Sequence, residues 1–68
     1  MSIPAAHQAV VWFFTVIALN GQPINEEIGS WAARGDCEAF RQEYIISHYQ
    51  HGVHADTTLC GRRYESRT

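Results

Sequence analysis

With 68 residues, seven acidic side chains and five arginines but no lysine, the chain carries a formal net charge of −2. Its length holds one domain at most and leaves little room for a catalytic scaffold, so an enzyme is not expected. Tight nucleic-acid binding is equally disfavoured, because it needs several cationic contacts to phosphate.

Large apolar groups are abundant for so short a chain. A domain of this size buries only about 60% of the surface its unfolded chain exposes, so part of the apolar surface is expected to meet another protein molecule. Charge is unevenly spread. Residues 1–60 set Arg34 and Arg41 against six carboxylates, whereas the last eight set Arg62, Arg63 and Arg67 against Glu65 alone. Any attraction to an anionic surface would therefore sit near the C-terminus.

The first element is read as a helix over about 4–19. Ser2 suits its cap, Pro4 its first turn, and Asn20-Gly21 its stop. A strand is the rival reading, since Val10 to Ile17 are all β-formers and Asn-Gly is a hairpin signal. The run lacks polar alternation and a proline follows at once, which favours the helix. This run is too short to span a bilayer, which takes about 20 residues, and no basic residue precedes it. No membrane association and a cytoplasmic location are the expectation.

Pro23 or Asn25 opens a second helix ending at Gly35, with Ile24, Ile28 and Trp31 on one face. A third runs from Asp36, read as its cap, to His51, where Gly52 stops it. Its main stripe is Cys37, Phe40, Tyr44, His48 and His51, with Ile45, Ile46 and Tyr49 on another side. Residues 53–68 offer few apolar anchors and read as a flexible or loosely packed tail. The predicted fold is thus all-α: a three-helix domain over residues 1–52, a bundle completed by dimerisation, with an irregular tail over 53–68.

Several chemistries deserve weighing. His48, His51 and His54 followed by Cys60 offer four ligands for a small zinc-stabilised module, but the spacing matches no common zinc pattern. Exposed imidazoles near a helix end explain them as well. Cys37 and Cys60 are read as unpaired thiols with Cys37 in the core, a disulfide being the alternative. Arg34-Gly35-Asp36 between two helices outlines a helix-turn-helix DNA-binding regulator. Trp31 stands where that motif wants a small residue, and the second helix opens with acids. Glu26 and Glu27, adjacent on a helix, cannot act on one substrate atom. No Gly-rich phosphate loop is present and no cofactor is implied.

The functional expectation is a non-enzymatic, acidic regulator or inhibitor that self-associates and occludes a surface of a larger host protein. By analogy, such small lysine-free chains suit phages or mobile elements. Its partner-binding residues are taken to be Trp12, Ile45, Ile46 and Tyr49, rimmed by Glu38 and Glu43, since Trp and Tyr often anchor interfaces.

Overall fold

The computed structural model describes residues 8–66, and among these the fold is a four-stranded antiparallel sheet with a single helix packed on it. The elements run β1 (Gln8–Leu19), β2 (Gln22–Trp31), α1 (Arg34–Gln50), β3 (Ala55–Thr57) and β4 (Gly61–Ser66). This overturns the all-α, helical-bundle expectation. The first two expected helices are strands, and the expected loose tail supplies β3 and β4. Ser2 and Pro4, invoked to cap the first helix, and Arg67 lie outside the described residues.

The β-forming run from Val10 to Ile17 follows its local preference, and Asn20-Gly21 acts as a hairpin turn. Both residues have positive φ, 50° and 77°, and Leu19 faces Gln22 across the two-residue loop. Two consecutive positive φ angles match the twist of the flanking strands, and Asn-Gly is the pair that adopts them at least cost. Pro23 is tolerated because β2 is an edge strand.

The spacing that suggested a second helix has a different origin. Trp12 faces Trp31 and Phe14 faces Ile28, yet Phe13 faces Gly29, so Ser30 is an extra residue in β2. This bulge places Ile28 and Trp31, three residues apart, on one face. A methyl group on Gly29 would lie 3.0 Å from the Phe13 backbone, and its φ of 141° is open mainly to glycine.

β1 is the centre of the sheet. It pairs with β2 along one side, and with β3 and β4 in succession along the other. One face of the sheet carries Trp12, Phe14, Val16 and Leu19 toward the helix, where Phe14, Val16, Cys37 and Cys60 form the buried core. On the opposite face the Arg63 guanidinium lies 4.7 Å from the Phe13 ring centre and 2.7 Å from Glu27.

Helix α1 begins after Ala33, which makes no side-chain cap, so Asp36 sits in the first turn rather than at the cap. Its C-terminus closes with the Gly52 amide donating to the Tyr49 carbonyl and the Val53 amide to that of His48, a Schellman arrangement. A disulfide joins Cys37 to Cys60, replacing the expected free thiols. No helix among the described residues is long and apolar enough to cross a membrane.

Candidate functional site

The two sides of α1 present different chemistry. Toward β3 and β4, Arg41 donates to Glu38 at 3.0 Å and to the Thr57 hydroxyl at 3.3 Å, while the other Glu38 oxygen accepts the Cys60 amide. The Arg41 hydrogen bond, aided by that amide, holds the Glu38 carboxyl below its ordinary value against a smaller opposing effect of burial. Every partner here belongs to the fold itself.

Toward β2 the contacts are aromatic. Phe14 stacks on Trp31 with ring centres 6.0 Å apart, meets Tyr44 edge-on at 6.0 Å, and Trp31 touches Phe40 at 5.0 Å. Tyr44 in turn lies against the His48 ring at 4.0 Å. Helical spacing produces this row, since positions 40, 44 and 48 are four residues apart. The row does not close over. A groove of about 470 Å³ runs along it, lined by Phe40, Glu43, Tyr44, Ile46, Ser47 and His48. Burial pushes the Tyr44 phenol up, and the Glu26 carboxylate on neighbouring β2 adds to the effect.

Two carboxylates stand beside this row: Glu43 lines the groove and Glu26 acts on Tyr44 from β2, whereas Arg41 is paired with Glu38 on the other flank and Arg34 lies over the Trp12 ring at the start of the helix. An apolar floor with an acidic rim suits the binding of an apolar side chain flanked by cations.

The predicted partner-binding residues are only partly gathered here. Glu43 and Ile46 line the groove, and Ile46 is 55% exposed. Tyr49, 74% exposed, borders a neighbouring hollow of about 360 Å³ with Asn20, Val53 and His54. Ile45 is half-buried. Trp12 is placed elsewhere: it packs against the core beneath Arg34, twelve residues or about 18 Å of helix from Ile46. Glu38 is engaged in the fold. Phe40, Tyr44 and His48 share the main stripe of the expected third helix, with His48 read as an exposed imidazole, and their partial exposure beside the groove marks all three as lining residues.

The alternative chemistries lose their geometry. Cys60 is bonded to Cys37, His51 Nδ1 contacts the Ser47 carbonyl, and His54 contacts Asp56. Among the described residues no cluster of three or more ligating side chains is suited to a metal ion. The helix-turn-helix reading fails because its first helix is β2. Compared with protein-family models, curated proteins and solved structures, the chain finds no match in any of them.

Proposed function

We propose that this protein is a small non-catalytic binding module that engages a larger protein through the open flank of α1 and regulates it by occluding the surface it covers. The observation that carries this reading is the strip of Phe40, Tyr44 and Ile46, left partly uncovered beside Glu43 and Glu26. Apolar and aromatic groups held on a helix form a preorganised surface, which lowers the ordering cost of association. The partner surface that complements it is an apolar knob with a basic surround. The Cys37–Cys60 bond favours an oxidising compartment over the cytoplasm as the place of action.

Photo-cross-linking in cells that make the protein tests this reading. A photoreactive side chain at Ile46 or Tyr49 is expected to capture one and the same partner, while the same group at Ile17, on β1, captures none. Ile46→Asp should then weaken binding to that partner by about 2 kcal/mol. Background labelling alone from positions 46 and 49 would remove the proposal.

A further inference from the structure

The two edges of the sheet are protected unequally. β2 carries Pro23, a positive φ at Asn25 and two register irregularities against β1, all of which discourage another strand from adding to it. β4 has none of these within Arg62–Glu65. It pairs with β1 from Gln8–Ser66 to Phe13–Gly61 without a shift, and among the described residues no strand lies along its outer side.

The centre of β4 reads Arg63-Tyr64-Glu65, a sequence complementary to itself when run antiparallel. Directly opposed residues of an antiparallel pair share a face. Registers that keep the sheet faces continuous between two copies therefore place one residue opposite its own counterpart. Centring on Arg63 sets arginine against arginine, and centring on Glu65 sets glutamate against glutamate. Centring on Tyr64 sets the two tyrosines together and forms two Arg63–Glu65 pairs, one on each side. Unlike charges directly opposite stabilise a ladder and like charges destabilise it, so charge selects the third register.

The side chains are disposed for it. Tyr64 is 67% exposed and lies opposite Val10, on the same sheet face as Trp12 but uncovered by α1. Arg63 and Glu65 lie on the other face, within 3.4 Å of each other, and Arg63 is already ordered by Glu27 and the Phe13 ring. An ordered arginine loses less side-chain entropy on pairing.

We propose that β4 is a self-association edge, through which two copies join antiparallel about Tyr64 into one continuous eight-stranded sheet with both helices on the same face. The contact is isologous and closes as a dimer. It is independent of the groove on α1, which stays open. Pairing of one short strand buries less than the roughly 1,200 Å² of a standard stable interface, so the dimer is concentration-dependent.

Cross-linking tests the register. Opposed positions in an antiparallel pair have Cα atoms about 4.5–5.5 Å apart, within disulfide reach, whereas an offset of two residues lies beyond about 7 Å. Tyr64→Cys is expected to oxidise to a covalent dimer with the Cys37–Cys60 bond intact on peptide mapping, and Arg63→Cys to remain uncross-linked. Sedimentation tests the charge rule on the otherwise unaltered chain. Glu65→Arg should raise the dimer dissociation constant about tenfold or more, and adding Arg63→Glu should restore it to within about threefold, with folding followed by circular dichroism. A wild-type chain that stays monomeric up to about millimolar concentration, equal cross-linking at both positions, or failure of the double swap to rescue would each overturn the proposal.

Discussion

On its β3–β4 flank α1 is held by a covalent bond and an ion-pair network, whereas toward β2 its contacts are aromatic, Phe40 tilted against Trp31 and Tyr44 edge-on to Phe14. A disulfide and an ion-paired carboxylate fix position and commit the groups that form them to contacts within the fold. Aromatic stacking is less directional and leaves ring edges and faces partly uncovered. The contrast shows how a very small domain can be rigid and still accessible: one flank fixes the helix, and the other can afford to stay open.

Removing the covalent side should produce the largest effect. The bond closes a separation of 23 residues, and the double change Cys37→Ala and Cys60→Ala is expected to lower unfolding free energy by about 3 kcal/mol, read from denaturant titration. A loss no greater than that of an aromatic truncation would reverse the ranking of the two flanks. On the aromatic side, Trp31→Ala should cost about 2 kcal/mol in the same titration, less than a fully buried tryptophan because Trp31 is half-buried.

Acid should sharpen the comparison by loosening one flank only. Glu38 titrates below its ordinary value in the folded chain, so its contribution is complete above the unfolded value of 4.5 and is lost as pH falls through the lower folded one. Titrations from about pH 6 to about pH 3 should show a stability decline that Glu38→Gln makes shallower, while Trp31→Ala leaves its slope unchanged. An unaltered slope in Glu38→Gln would assign the acid response elsewhere. At the small end, Ile46→Asp should shift stability by less than about 0.5 kcal/mol, because its side chain faces solvent. A larger loss would move Ile46 from the binding surface into the fold.

Much of the local chemistry was legible in the chain, but its assembly was not. The β-formers of residues 10–17, the Asn20-Gly21 turn and the stop at Gly52 could all be read, and the first two pointed to the hairpin that forms. The absence of alternation in β1 misled because the strand is central and carries apolar groups on both faces. In β2 the bulge at Gly29–Ser30 imitates helical spacing, and no single-residue preference signals a bulge before its partner strand is known. The strands in residues 55–66 were hidden because their pairing is non-local: β4 is polar and depends on β1 for its ladder. Of the expected interface, Glu43, Ile46 and Tyr49 lie on accessible surface and Ile45 is half-buried, while Trp12 and Glu38, both partly exposed, are engaged under Arg34 and beside Arg41.

The central position of β1 has a consequence for how the chain folds. β2 reaches β1 through a two-residue turn, but the other border of β1 is completed only by β3 and β4, which lie beyond α1 in the chain. Until those distant pairings form, the most apolar segment of the chain presents a bare hydrogen-bonding border to its surroundings. The stage between closure of the hairpin and arrival of β4 is therefore when this polypeptide is most exposed to misassembly.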